Sequence, residues 1–251
     1  TNPKINRAGG QIRNLKIGIV ELAAMGIDVG SGAISNTRLP EEDWAESWKI
    51  HFKPIEVEQT LVIKPGWDRS KTKAGRKVII LDPGLSFGTG HHPTTLFCLK
   101  QLLAVIRHGV HQSVLDAGTG CGLLSIAAAK LGFGRIHGFD WDPDAVRSAK
   151  ENANLNQTSH LIRITRYNLL NLTENPRIRY TCICANLTAD LLREASVRFW
   201  NRLKPGGRLI LAGILTVEFQ AVKQFFRNTG FVPIDSESSN EWTSGSFERP
   251  E

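Results

Sequence analysis

The sequence has few cysteines, and none of them stands in a metal-binding pattern. The four cysteines form no C-x-x-C pair and no Cys/His group with zinc spacing: Cys98, Cys121, Cys182 and Cys184. Cys182 and Cys184 lie two residues apart in a predicted strand, so their side chains face the same way, and we expect buried free thiols. His91 and His92 are adjacent but have no third ligand nearby. The sequence therefore predicts no metal site.

Long apolar stretches are also lacking. The sequence has no run of 18 or more apolar residues, and nothing in it resembles a signal peptide. We therefore predict a cytoplasmic protein without a membrane partner. The first residue is Thr1 rather than methionine, which suggests a fragment or a processed product.

The residues that are present are typical of a globular protein. A length of 251 residues suits one large domain, or one domain with an appendage. The chain is 41% hydrophobic and 22% charged, so it can bury a sizeable core. Its formal net charge of +7 favours acidic or ribonucleoprotein surroundings, but is too small to establish nucleic-acid binding.

One stretch, residues 114–140, organises the chain. Its sequence, VLDAGTGCGLLSIAAAKLGFGRIHGFD, predicts a strand, a glycine-rich turn, a helix and a second strand that ends at Asp140. A glycine turn that opens a helix lets the backbone approach a ligand closely, and an acid about 20 residues further on can accept hydrogen bonds from ribose hydroxyls. This pattern predicts a site for an adenosine-type cofactor.

Strands and helices are predicted to alternate through the rest of the chain. Residues 141–157 form a helix, 161–170 a third strand, 179–187 a fourth and 188–203 a helix. KPGG at 204–207 is a tight turn into a fifth strand, and a helix over 216–230 precedes two last strands that form an antiparallel pair. Alternation of this kind predicts an α/β fold with parallel pairing, helices on both faces and a ligand at the carboxyl ends of the strands.

Two classes of cofactor compete for the glycine turn. A dinucleotide site has the spacing G-x-G-x-x-G, whereas this turn has G-x-G-x-G at Gly118, Gly120 and Gly122. Glycines alone are weak evidence, but Asp116, Asp140, the ANL sequence at 185–187 and KPGG strengthen the pattern. Together they resemble the class I methyltransferases that use S-adenosylmethionine. This resemblance implies a Rossmann-like, mostly parallel seven-stranded sheet whose C-terminal strand pair is antiparallel.

The N-terminal part is less regular. Residues 1–13 are polar and contain glycines, and we expect them to be loose, whereas residues 15–25 predict a short helix that ends at Gly26. A second helix begins at Pro40, with three acids in its first turn. Trp44 and Trp48 share one face of that helix, which is either a surface for recognition or, as we favour, a linker that packs on the main domain.

Two predicted strands, 55–63 and 77–83, flank a basic loop. The loop between them carries the cations Lys64, Arg69, Lys71, Lys73, Arg76 and Lys77. It is either a basic flap over a substrate or, more commonly for such loops, the solvated tip of a hairpin. The basic loop therefore leaves open an acceptor that is RNA.

The segment 83–95, PGLSFGTGHHPTT, is rich in glycine and precedes a predicted helix. Thr94 or Thr95 could serve only as a helix cap, but so much glycine in an apolar context also indicates close approach to a ligand. The pattern alone does not decide between these structural and functional interpretations.

The same segment resembles a motif of the bacterial ribosomal protein L11 methyltransferase family, P-G-x-x-F-G-T-G-x-H-x-T-T. Further similarity lies in residues 41–55, in VLDAGTGCGLLSIAA, ANL and LKPGGRLILAGIL, and in a late EW, so that it covers about residues 40–245. The resemblance implies S-adenosylmethionine as cofactor and transfer of methyl groups to amino groups, of lysine or the N-terminus, on a large-subunit ribosomal protein. It also implies domains over 57–251 for methyl transfer and 40–56 for a linker helix.

Site residues follow from the same resemblance, position by position. The glycines of the turn line the methionine and ribose side, Asp140 holds the ribose hydroxyls, and Asn168 meets the adenine. Asn186 lies beside the reacting methyl group and is the expected catalytic residue. The complete set of implied cofactor contacts is Phe87, Gly88, Thr94, Thr95, Asp116, Gly118, Gly120, Gly122, Asp140, Trp141, Asn168 and Asn186.

The sequence departs from the family pattern at its N-terminus. The family carries a small ferredoxin-like domain that grips the ribosomal protein, whereas only about 39 residues precede the linker here. Residues 1–39 are therefore expected to be a remnant or an extension. Transfer to RNA or to a small molecule, and a non-catalytic module that binds cofactor or ribosome, are the alternative functions.

Overall fold

The computed structural model describes residues 3–34, 54–81, 92–106 and 110–251, with side chains from residue 12 onward. The chain divides into two compact units, Thr1–His51 and Phe52–Glu251. The predicted linker helix with Trp44 and Trp48 lies outside the described residues, as do Phe87 and Gly88 of the glycine-rich segment. Within the described ranges, no helix is long and apolar enough to cross a membrane.

The first unit contains one long helix, α1 (Pro3–Ala24). The expectation that residues 1–13 are loose was wrong, because the helix begins at Pro3 and continues through Gly9 and Gly10. Proline suits the first position of a helix, and no further proline interrupts the segment. A glycine pair costs about 2 kcal/mol of helix propensity relative to alanine, which does not break this helix.

The second unit begins with a small three-stranded sheet of β1 (Ile55–Val57), β2 (Leu61–Pro65) and β3 (Lys77–Leu81). The single strand predicted over 55–63 was wrong, because the chain turns back at Glu58, whose φ is +49°, and β1 pairs antiparallel with β2. Strands β2 and β3 are parallel, so the basic loop between them is a crossover and not a hairpin tip. Lys64 Nζ donates to the carbonyl of Ser70 (2.7 Å), and Arg76 pairs with Glu56 (2.6 Å).

The main sheet has seven strands in the order β6-β5-β4-β7-β8-β10-β9. Strand β10 runs antiparallel to both β8 and β9, and the other described pairs of this sheet are parallel. The elements are β4 (Ser113–Ala117), β5 (Arg135–Asp140), β6 (Ile162–Arg166), β7 (Tyr180–Asn186), β8 (Leu203–Leu215), β9 (Val232–Ser239) and β10 (Trp242–Glu248), with helices α2 (Pro93–Ala104), α3 (Leu123–Leu131), α4 (Pro143–Leu155), α5 (Ala189–Arg202) and α6 (Thr216–Asn228). The predicted Rossmann-like fold with an antiparallel C-terminal pair is confirmed.

Two apolar clusters cover the two faces of this sheet. One joins α2 and α3 to the small sheet, and the other joins α5 and α6 to β7, β8 and β10. Strand β4 is buried along its whole length, because it lies in the middle of the sheet with helices on both sides. All four cysteines are buried free thiols, as predicted for Cys182 and Cys184.

The KPGG sequence is part of a strand rather than a turn before one. Strand β8 begins at Leu203, and its register with β7 shifts between Tyr180 and Cys182. Gly206 takes φ +68°, and its N–H donates to the carbonyl of Arg249 (2.7 Å). A glycine in this conformation accommodates the irregular register without ending the strand. The prediction of a tight turn was therefore wrong.

One half-buried histidine gives the fold a testable pH dependence. His137 lies on β5, with Nε2 2.8 Å from Thr165 Oγ1 and Nδ1 3.3 Å from the Tyr180 hydroxyl. Burial lowers the pKa of His137 to about 4, and the charge of Arg163 adds to this effect. The unfolded chain therefore takes up a proton below about pH 6.5, where the folded chain does not.

The neutral His137 therefore contributes its full share of the folding stability above about pH 6.5, and this contribution is lost as the pH falls from about 6.5 to about 4. We expect the free energy of unfolding to fall by about 1–2 kcal/mol over this range, after allowance for solvent screening of a partly exposed ring. Urea unfolding of the wild type and of His137→Gln across this range measures it. An identical pH dependence in the two proteins would contradict the prediction.

Candidate functional site

The glycine turn between β4 and α3 forms the floor of a cavity. Gly118, Gly120 and Gly122 have φ values of +74°, +55° and +84°, a region that residues with a Cβ rarely adopt. The N–H groups of Gly118 and Thr119 both donate to the carbonyl of Phe139 (2.9 and 3.0 Å), which fixes the turn to the end of β5. A Cβ on Gly118 would lie 2.5 Å from Leu187 Cδ2, so a side chain there would displace Leu187 in addition to straining the backbone.

Asp116 supports this turn from below. Its Oδ2 accepts hydrogen bonds from Thr119 Oγ1 (2.7 Å), Ser125 N (3.1 Å) and Ser125 Oγ (2.7 Å). The residue is 1% exposed, and burial raises its pKa, although the hydrogen bonds from Thr119 and Ser125 oppose that rise. Asp116 joins the strand, the turn and the helix, and it does not line the cavity.

Asp140 lies at the carboxyl end of β5, beside the turn. Its Oδ2 accepts from the N–H of Gly120 (3.0 Å), and its Oδ1 accepts from the N–H of Asp142 (3.1 Å). These bonds orient the carboxylate along the edge of the cavity, which it lines. A carboxylate accepts only, so its remaining lone pairs suit a ligand that presents hydroxyl groups.

The cavity has a volume of about 410 Å³, within the usual range for small-molecule sites. It lies where the carboxyl ends of β4, β5, β6 and β7 meet, which is where ligands bind in open α/β sheets. Asn168 ends one wall, and its Oδ1 accepts from Leu170 N (2.9 Å) at the start of a short 3₁₀ helix, Leu169–Asn171. The predicted residues that line the cavity are Thr95, Gly118, Gly120, Asp140, Trp141, Asn168 and Asn186.

Asn186 is the last residue of β7. It lines the cavity on the β7 side of β4, whereas Asp140 lines it on the β5 side. Asn186 Nδ2 donates to Thr94 Oγ1 (3.2 Å) and Thr95 Oγ1 (3.5 Å), in the first turn of α2. Thr94 Oγ1 lies 2.6 Å from His92 Nδ1. A Cβ on Gly213, whose φ is +79°, would lie 2.8 Å from Asn186 Oδ1, so glycine there leaves room for this amide. The network fixes which way the amide faces.

A model of the family described as ribosomal protein L11 methyltransferase (PrmA) matches residues 12–250. The protein of that name from Geobacillus kaustophilus is 37% identical to this chain, and the match covers 94% of this chain and 74% of the relative. The one from Bacillus subtilis is 34% identical, and the match covers 94% of this chain and 75% of the relative. The chain belongs to the ribosomal protein L11 methyltransferase family. A crystal structure of a ribosomal protein L11 methylase from Lactobacillus delbrueckii subsp. bulgaricus has a TM-score of 0.72 and 26% identity, covering 80% of this chain and all of that one.

Membership of the L11 methyltransferase family confirms the cofactor class that the glycine spacing favoured. The chain is an S-adenosylmethionine-dependent methyltransferase, and the dinucleotide interpretation was wrong. The observed cavity fits an adenosine-type group: glycine backbone on one side, a carboxylate at the edge and apolar side chains around it. Among the described residues, no group of three or more metal-ligating side chains could hold an ion.

Sequence reasoning missed several residues that line this L11 methyltransferase cavity. Tyr167 is adjacent to Asn168 and packs edge-on against Phe139, with ring centroids 6.3 Å apart. Its position after β6, beside a predicted contact, is a signal that could have found it. The leucines carried no such signal, because apolar residues occur throughout the sequence. The unpredicted lining residues are Thr119, Cys121, Leu123, Leu124, Phe139, Tyr167, Leu169, Leu170, Leu187 and Leu191.

Three predicted contacts lie next to the cavity instead of in its wall. Gly122 faces α4, where a Cβ would lie 3.0 Å from Ala149 Cβ, so this glycine allows close packing of helix on turn. Thr94 reaches the site through its bond to Asn186. The roles assigned to Asp116, Gly122 and Thr94 as cofactor contacts stay predictions.

Proposed function

We propose that the chain methylates amino groups of ribosomal protein L11, on lysine or at the N-terminus, and that Asn186 positions the acceptor amine. The observation that carries this proposal is the Asn186–Thr94–Thr95 network beside the glycine turn, in a chain of the L11 methyltransferase family. When bound, S-adenosylmethionine supplies a methyl group on a positively charged sulfur. A cytoplasmic location and a division into an N-terminal remnant or extension (1–39), a linker (40–56) and a catalytic domain (57–251) belong to the same proposal.

The cofactor is held by residues at the carboxyl ends of three strands. Asp140 would accept hydrogen bonds from ribose hydroxyls, since its carboxylate is already oriented by Gly120 and Asp142. Asn168 and the exposed ring of Trp141, which is 70% accessible, would hold the adenine. The backbone of Gly118 and Gly120 would lie against the methionine part, because both glycines line the cavity and carry no side chain of their own into it.

The acceptor amine is the chemical difficulty. A lysine with a pKa near 10.4 is neutral in only about one molecule per thousand at pH 7.4. A desolvated site lowers that pKa, because burial disfavours the charged form. Asn186 Oδ1 accepts a hydrogen bond from the amine and aligns it, and alignment supplies much of the rate enhancement. The Nδ2 group of Asn186 already donates to the hydroxyl groups of Thr94 and Thr95, so it does not donate to the lone pair with which the amine attacks.

Transfer of labelled methyl groups tests the acceptor. The purified chain, S-adenosylmethionine with a labelled methyl group, and separate ribosomal protein L11, ribosomal RNA and total small-molecule fractions would be incubated in parallel. We expect label in L11 and mass increments of one or more methyl groups on amines. Label in RNA instead would show that the acceptor is wrong, and binding of cofactor without transfer to any fraction would favour the non-catalytic alternative.

Asp140→Ala is expected to weaken cofactor binding. Loss of a charge-assisted hydrogen bond costs about 1.5–3 kcal/mol, so the dissociation constant of S-adenosylmethionine should rise about 10- to 100-fold. Calorimetric titration measures this change. Asp144→Ala is the matched control, because Asp144 is an exposed acid of α4 that pairs with Arg147 outside the cavity. Equal affinities for the two variants would exclude the role of Asp140.

A further inference from the structure

A group of arginines lies at the opposite end of the sheet from the cofactor cavity. The arginine surface, as we name it, consists of the exposed Arg135 and Arg163 and the half-buried Arg198, together with the buried Arg202. Arg135 begins β5, Arg163 follows the first residue of β6, and Arg202 is the last residue of α5. These positions are at the amino ends of the strands, whereas the cavity lies at their carboxyl ends.

Strand register brings these side chains to one face. Arg163 is the partner of His137 across β5 and β6, and Arg135 precedes His137 by two residues, so all three face the same side. His137 Nδ1 lies 3.3 Å from the Tyr180 hydroxyl. Tyr180 in turn is the register partner of Leu203, the residue after Arg202. Three of the arginines, Arg135, Arg163 and Arg202, therefore lie around Tyr180.

The positive charge of this surface is not neutralised within the described part of the chain. None of its four arginines forms an ion pair there. Arg198 donates to the carbonyls of Leu172 (3.1 Å) and Glu194 (3.1 Å), and Arg202 donates to the carbonyl of Arg198 (3.3 Å). Burial raises the pKa of Tyr180, and the charges of Arg135, Arg163 and Arg202 oppose that rise. Guanidinium groups stay protonated, so the local charge is positive at neutral pH.

The chemistry of the surface favours phosphate over an apolar or acidic protein partner. Protein interfaces are depleted of charge at their centre, whereas protein–nucleic acid interfaces are strongly positive. The exposed cations are arginines, whose planar forks match phosphate in a bidentate manner. Arg202 and Tyr180, each 6% exposed, add to the local field and are not phosphate contacts. Arg135 and Arg163 are exposed at neighbouring strands, where they can reach an extended anionic partner.

We propose that the arginine surface binds the phosphate backbone of RNA, at a site separate from the methyl-transfer cavity. The length of one strand, about 15–20 Å, separates it from that cavity. RNA bound there would leave the cofactor and acceptor amine accessible. We expect this binding to be independent of sequence, because contacts to phosphate groups carry no base information.

Fluorescence anisotropy of a labelled RNA hairpin, titrated with the full chain at several potassium chloride concentrations, tests this proposal. The variant is Arg135→Glu/Arg163→Glu, since both residues are exposed and outside the catalytic site. Its control is Lys71→Glu/Lys73→Glu in the basic loop, which makes the same change in charge on exposed residues. Methyl transfer to isolated ribosomal protein is measured for both, and we expect it to equal that of the wild type.

We expect the arginine variant to lose about tenfold or more in RNA affinity, and its slope of log K against log salt to fall by about 1.4–1.8, the contribution of two phosphate contacts. The lysine variant should keep most of the affinity. An unchanged affinity of the arginine variant, or an equal loss in both variants, would overturn the proposal. A loss of binding to the ribosomal protein with RNA binding intact would assign the surface to a protein partner and overturn it as well.

Discussion

Asn186→Ala is expected to lower the rate of methyl transfer about 10- to 100-fold, since the variant loses a hydrogen bond to the reacting amine worth about 1.5–3 kcal/mol. The affinity for S-adenosylmethionine should change much less, because the glycine turn and Asp140 are untouched. Single-turnover rates with saturating cofactor, together with calorimetric titration, separate these two quantities. The effect on the rate is large because the amide aligns the amine with the methyl group, and a misaligned amine does not react.

Two further variants make this test specific. Thr95→Ser keeps a hydroxyl group near Asn186 Nδ2 and should retain most of the rate. Asn175→Ala removes an exposed asparagine from the loop before β7 and should have no effect on either quantity. If Asn186→Ala turns over at the rate of the wild type, then Asn186 does not position the acceptor. If it binds cofactor as poorly as Asp140→Ala, its role is in cofactor binding instead.

Asp116→Ala is expected to lower the free energy of unfolding by about 2–4 kcal/mol. The substitution leaves Thr119 Oγ1, Ser125 N and Ser125 Oγ without their common acceptor, and each buried donor left unpaired costs about 1–3 kcal/mol. Part of this cost is offset, because Thr119 and Ser125 can bond to one another and a buried carboxyl group is removed. Urea unfolding followed by circular dichroism measures the change.

The comparison variants for Asp116 are Asp116→Asn and Asp144→Ala. Asparagine keeps one acceptor oxygen and should lose less stability than alanine. Asp144 is exposed, so its replacement should change stability by less than about 0.5 kcal/mol. A midpoint for Asp116→Ala equal to that of Asp144→Ala would show that this carboxyl group does not hold the turn. Cofactor affinity is expected to fall together with stability, because the turn forms the cavity floor.

Much of the fold could be predicted because its signals are local. The spacing of Gly118, Gly120 and Gly122 determines a turn of left-handed conformations, and the alternation of strand and helix patterns predicts a parallel sheet. Errors arose where the pattern had more than one solution. Residues 55–63 alternate as one strand would, but positive φ at Glu58 makes them two. KPGG has the composition of a turn, but its neighbours extend β8 through it.

Sequence alone determined the class of cofactor, since the glycine turn and Asp140 lie within one continuous β-α-β segment. Only the tertiary structure decided how the acceptor side is built. Asn186 lies 92 residues after Thr94 along the chain, and their contact depends on the packing of α2 against the end of β7. The arginine surface likewise depends on the register of four strands. Contacts of this range follow from how the whole sheet is assembled, and no local pattern encodes them.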